Sequence, residues 1–121
     1  LKPAVIISEY NSIFGLQPIT VPYDPAFDYE RAHPSRFYWG ASLTALHHLA
    51  SNNGYSLIEV GNSGVNAFFV RNDLLGPDDI PLPPQYAFRE RDWQIGLRRS
   101  EQWEQIKNMP FVDVTKLNQP A

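Results

Sequence analysis

Cysteine is absent from the 121 residues, which excludes disulfide frameworks, thiolate zinc sites and cysteine nucleophiles and is compatible with a reducing, cytoplasmic setting. No apolar run approaches the roughly 20 residues that a bilayer span requires. No charged-then-apolar segment of secretory type opens the chain. An excess of basic charge is missing too. The formal net charge is −3, which leaves no electrostatic footprint for nucleic acid or for an anionic membrane. Arg89, Arg91, Arg98 and Arg99 do cluster, but Glu90, Asp92, Glu101 and Glu104 are interleaved with them, the composition of a solvated mixed-charge segment. Gly-rich phosphate loops, His-Glu-x-x-His and Gly-x-Ser-x-Gly elbows are absent, so the commonest motif-borne chemistries have no carrier. His47 and His48 are adjacent, and helix neighbours point about 100° apart, so the pair is not suited to ligating one metal side by side. No metal site is expected.

What the chain does have is 11 prolines and a 43% hydrophobic content. With the length these indicate one compact globular domain carrying long ordered loops or extended segments, and the strands and principal helix predicted along the chain make the fold class α/β. The chain opens on Leu1-Lys2-Pro3 and enters an apolar run directly, the expectation for a cut through a larger protein. Ala4-Val5-Ile6-Ile7-Ser8-Glu9-Tyr10 is short, β-branched and nearly continuous in its apolarity, which predicts a strand buried on both faces, as in a central parallel strand. Residues 12–38 show no sustained period and carry Gly15, Pro18, Pro22, Pro25 and Pro34, so neither a helix nor an inner strand can run far. Phe14, Tyr23, Phe27, Tyr29, Phe37 and Tyr38 make this loop aromatic, with fastening to the body as their first role.

Tyr38-Trp39-Gly40-Ala41-Ser42-Leu43 then leads into a helix ending at Asn53-Gly54. Leu43, Leu46 and Ala50 share one face, widened by Ala45 and Leu49. Tyr55-Ser56-Leu57-Ile58-Glu59-Val60, the turn Gly61-Asn62-Ser63-Gly64 and Asn66-Ala67-Phe68-Phe69-Val70-Arg71 predict an antiparallel strand pair. Simple alternation places Tyr55, Leu57 and Glu59 on one face and Ile58 and Val60 on the other. Residues 76–121 read as a Pro-rich extended tail, with a short helix from Ser100 to Lys107 capped by Ser100 and a short strand around Phe111-Val112-Asp113-Val114. Trp93, Ile95, Leu97, Trp103 and Ile106 are its candidate docking residues.

Four residues are candidates for substrate binding. Glu9 ends an apolar strand, where a carboxylate either bonds the backbone amides of the next loop or faces a ligand. Asn11 follows it. Tyr23 and Asp24 lie in Tyr23-Asp24-Pro25, which reads as a turn first and a site second.

Val5-Ile6-Ile7-Ser8-Glu9-Tyr10-Asn11, Thr20-Val21-Pro22-Tyr23-Asp24-Pro25, the Tyr38–Leu43 segment, Gly54-Tyr55-Ser56-Leu57 and Asn66-Ala67-Phe68-Phe69-Val70-Arg71 resemble, in order and spacing, the C-terminal half of a bacterial group related to the FkbM-type, S-adenosylmethionine-dependent methyltransferases. The resemblance covers roughly residues 4–75. It implies the C-terminal portion of a Rossmann-like sheet: a fifth strand, a last crossover helix, and two terminal strands, the last antiparallel. On this basis residues 1–75 are expected to be half of a Rossmann-like domain. The methyl donor would be held by a Gly-containing loop after the first strand and an acid after the second. Both belong to the N-terminal half, so no cofactor is expected on this chain alone, and the missing half is its expected partner. The remainder would meet the acceptor, a small molecule or glycan, through Glu9, Asn11, Tyr23 and Asp24. The first strand would then show an open apolar edge. A non-catalytic interaction or scaffold module built on the same half-domain is the alternative expectation.

Overall fold

The structure, a computed structural model, describes residues 2–91 and 96–117. Asp92, Trp93 and Ile95, named above in the charged segment and as docking residues, lie outside the described residues. The fold is mixed α/β, with antiparallel sheets and few helices. Strands β1 (Val5–Glu9), β3 (Tyr55–Val60) and β4 (Asn66–Arg71) form a sheet in the order β1-β4-β3. Strand β4 is antiparallel to both neighbours, so β1 and β3 run in the same direction. The short strands β2 (Ile19–Thr20) and β5 (Val112–Asp113) pair separately.

Helix α2 (Leu43–Asn52) lies between β2 and β3 in sequence and packs on β3. Its start is set by Ser42, whose buried hydroxyl accepts from the Ala45 N–H at 3.0 Å. It gives way to β3 through Gly54, at φ 83, the left-handed conformation that most side chains resist. Leu43 and Ala45 are fully buried, and Leu46 and Ala50 pack against the same core. Leu49, expected on this stripe, lies at its edge and is exposed.

The core face of the sheet comes from Tyr10, Tyr55, Leu57, Val60, Ala67 and Phe69. Simple alternation cannot put both Leu57 and Val60 there. A register shift between Leu57 and Glu59 does so. This bulge resets the strand's parity, turning Val60 inward and leaving Glu59 exposed, the reverse of the sequence expectation.

The central, doubly buried place expected for β1 is also corrected. Its described partner, β4, is antiparallel, and its other edge pairs with no described strand. Val5 is 50% and Ile7 60% exposed. The Arg71 N–H donates to Ala4 and the Tyr10 N–H to Val65, so even-numbered residues bond β4 and the amides of Val5, Ile7 and Glu9 point to the open edge. The apolar run therefore forms a strand with exposed side chains and one edge unpaired among the described residues, not a central one.

Residues beyond 76 pack onto the body. The Leu82 N–H donates to the Leu57 carbonyl at 2.8 Å. Helix α3 (Pro84–Ala87) buries Ala87 in the first core. Helix α4 (Arg99–Ile106) sits on the 3-10 turn Ser12–Phe14. It begins after Arg98 rather than at a Ser100 cap, and Glu101 Oε1 accepts from the Arg98 N–H. A second core joins Ile13, Phe14, Ile19, Phe37, Tyr38 and Ile106. Phe111 stands edge-on to both Phe14 and Tyr38, at 5.2 and 5.3 Å between ring centroids. The Tyr38 hydroxyl donates to the Pro110 carbonyl. Loop aromatics therefore fasten the chain, as aromatic surface with a polar tip does elsewhere.

Candidate functional site

A cleft of about 750 Å³ opens at the carboxyl end of β1. The volume is that of a small-molecule site. Its walls are Glu9 from the strand, Phe27, Tyr29, Ser35, Arg36, Phe37, Trp39 and Gly40 from the loop, and Arg91 from the far side.

The loop wall is built from local polar bonds. Asp24 Oδ1 accepts from the Ala26 N–H at 2.9 Å, and its carbonyl accepts from Phe27, which turns the chain toward the cleft. Asp28 caps the short helix α1 (Tyr29–Ala32) through the Glu30 N–H. Ser35 Oγ accepts from the Phe37 N–H at 3.1 Å and lies 2.8 Å from His33 Nδ1. Within this tight turn Arg36 adopts φ 63, the only positive φ of a non-glycine residue among those described. A side chain held there costs on the order of 1 kcal/mol and is retained only where the surroundings over-determine it.

Asn11 joins this wall to the strand. It is 1% exposed. Its Nδ2 donates to the carbonyls of Phe37 at 2.8 Å and Trp39 at 3.0 Å, and its Oδ1 accepts from the Ile13 N–H at 3.1 Å. Its own N–H donates to Ala41.

The opposite wall is pinned with equal care. The Tyr10 hydroxyl donates to the Arg89 carbonyl at 2.6 Å, and Ser12 Oγ accepts from the Arg91 N–H at 2.9 Å. Burial pushes the Tyr10 phenol above its ordinary range, and the bond to Arg89 opposes this only in part. Gly64, at φ 72, allows the approach: a Cβ there would fall 2.3 Å from the Glu90 carbonyl oxygen.

Of the residues expected at the site, Glu9 lines the cleft. Asn11 is displaced from a binding role, because its amide is buried and its donors and acceptor are engaged by the backbone; it orders the residues that form the wall. Asp24 shapes the turn before Phe27 and does not line the cleft. Tyr23 is 93% exposed and does not line it either. The aromatic-rich loop was the visible signal for Phe27, Tyr29 and Phe37. Trp39 stood in the segment leading into α2 and Arg91 in the mixed-charge cluster, neither marked as a site, and Arg36 carried no signal, since its placement depends on a strained turn. Among the described residues no group of three or more His, Asp or Glu is arranged to hold a metal, and no helix is long and apolar enough to cross a membrane. No family model, curated protein or solved structure matches the chain.

Proposed function

We propose that this chain is the acceptor-side portion of a Rossmann-like methyltransferase, the half that binds and orients the group to be methylated. The observation that carries the reading is the cleft at the carboxyl end of β1, with Glu9 on its wall. Support also comes from the sheet. The last strand of the three-stranded sheet, β4, is antiparallel, in keeping with the resemblance, and β1 has an edge that no described strand pairs, where a preceding strand would add.

The described residues do not fit a donor site. The carboxyl end of β1 runs into buried Asn11 and the Ser12–Phe14 turn. Gly15 after it is no open phosphate-type or nucleoside cradle: a Cβ there would meet Arg99 Nη1 at 2.7 Å. In this reading S-adenosylmethionine is held by the N-terminal half that the resemblance implies. What this chain does is exclude water with aromatic walls, orient the acceptor, and offer the Glu9 carboxylate to the proton of an acceptor hydroxyl.

Calorimetric titration of S-adenosylmethionine into the parent protein tests the proposal. Saturable binding by the parent and none by this chain is expected. No binding by the parent would favour the scaffold module instead.

A further inference from the structure

We infer that the cleft takes a flat, hydroxylated aromatic acid, with the carboxylate on Arg36 and the hydroxyl toward Glu9. The inference deepens the reading above by naming the acceptor class, and rests on it only for the role of Glu9.

The charge of the lining comes first. Glu9 supplies one negative group, and Arg36 and Arg91 supply two positive ones, in a chain whose net charge is −3. An arginine on the wall with no carboxylate partner among the described residues favours an anion. Arg36 is the decisive group. Arg31, Arg71, Arg98 and Arg99 are each ion-paired to a carboxylate. Arg36 has no ion pair among the described residues, and a strained backbone holds it at the cleft. A guanidinium presents paired N–H donors that match a carboxylate in two parallel bonds.

The walls decide the rest of the ligand. Phe27, Tyr29, Phe37 and Trp39 surround the cavity. Aromatic faces favour offset or edge contact with another ring, and a rigid ring loses little conformational freedom on binding. An aliphatic acid would satisfy Arg36 and leave these faces unused. A flat ring bearing a carboxylate and a hydroxyl has a partner for each part among the guanidinium, the ring walls and the Glu9 carboxylate that line the cleft.

The test uses 4-hydroxybenzoate as the probe, titrated calorimetrically into the 121-residue chain beside neutral 4-hydroxybenzyl alcohol and cationic tyramine. Binding of the acid at least about tenfold tighter than either analogue is expected, the scale of one charge-assisted hydrogen bond. Arg36→Gly removes the guanidinium while relieving the positive φ, so the turn should fold; it should weaken the acid by about tenfold and leave the neutral analogue unchanged. Circular dichroism checks that the variant is folded. Tyr23→Ala, outside the cleft, should change nothing. Equal or tighter binding of the alcohol or the amine overturns the inference, as does failure of the acid to bind or an unaltered affinity in folded Arg36→Gly. The methyltransferase reading fails separately, by absence of donor binding to the parent with acid binding intact.

Discussion

The Asn11 side-chain amide donates a 2.8 Å hydrogen bond to the Phe37 carbonyl, 26 residues on, and a second of 3.0 Å to the Trp39 carbonyl. One buried amide thus couples the end of β1 to the loop that forms the aromatic wall. Asn11→Ala removes this donor from the buried Phe37 carbonyl and the part-buried Trp39 carbonyl, and removes the cap of the Ser12–Phe14 turn. A loss of about 1–3 kcal/mol is expected, the scale of a buried polar group deprived of a partner. Urea denaturation measures it, and a change below about 0.5 kcal/mol, the usual range for an uninvolved surface substitution, would contradict it.

Gly64 is required for a different reason. Its φ of 72 and the 2.3 Å between a built Cβ and the Glu90 carbonyl mean that Gly64→Ala must push away the segment that carries Arg91. Destabilisation of about 1–3 kcal/mol and faster amide exchange at residues 89–91 are expected. Gly61→Ala is the contrast: its nearest neighbour would be 3.8 Å away with no positive φ, and its effect should be within about 0.5 kcal/mol.

Helix α2 depends on its cap. Ser42 is fully buried and its hydroxyl accepts from Ala45. Ser42→Ala should cost about 1–2 kcal/mol, at the upper end for caps because solvent cannot replace the bond. Ser42→Asp would keep an acceptor but bury a charge, and should be worse than Ser42→Ala.

Burial, and secondarily the neighbouring His48, holds the His47 imidazole below its ordinary value. The fold prefers the neutral ring, so the unfolded chain binds the extra proton first. This contribution is present above the ordinary histidine range and lost as pH falls through it. Melting temperature should fall between about pH 7.5 and 5.5, and His47→Gln should flatten that fall. The depressed carboxyls of Asp73, beside Arg71, of Glu101, beside Arg98, and of Asp113, beside Thr115, work in the same direction. Their contribution is lost in a separate window, as pH drops through and below the ordinary carboxylate range. A pH-independent melting temperature above that lower window would contradict the His47 account.

The open edge of β1 should make the chain self-associate. Val5 and Ile7 are exposed beside outward-facing amides, the arrangement that templates further strand pairing. Ile7→Lys should shift sedimentation toward monomer with little loss of stability. Monomeric wild-type behaviour at about 100 μM, with cooperative unfolding at high temperature, would count against it.

The middle of the fold was legible because helix and strand periods are local properties. The Leu43, Leu46 and Ala50 stripe, Gly54 and the turn before Asn66 each have a period or a turn residue behind them. The bulge at β3 was not legible, because alternation through Glu59 looks regular and only burial of Val60 demands the shift. The place of β1 was not legible for a related reason: composition reports how apolar a strand is and not which elements cover it. At the site, Glu9 was visible as a carboxylate closing an apolar run. Asn11 was noticed for its position, but its role depends on carbonyls 26 and 28 residues away. Arg36 and Arg91 reach the cleft through a strained turn and a glycine-permitted approach; the first leaves no pattern in the sequence, and the second shows only as one member of a mixed-charge segment.

In the proposed reading the chain meets its ligand in the cleft at the carboxyl end of β1. An amide chemical-shift titration of the isotope-labelled chain with 4-hydroxybenzoate tests it most directly. Saturable shifts concentrated at residues 9, 27, 29, 35–37, 39, 40 and 91 are predicted, and in Arg36→Gly they should require about tenfold more acid. Shifts confined to β1 residues 5–7, or none at all, would contradict it.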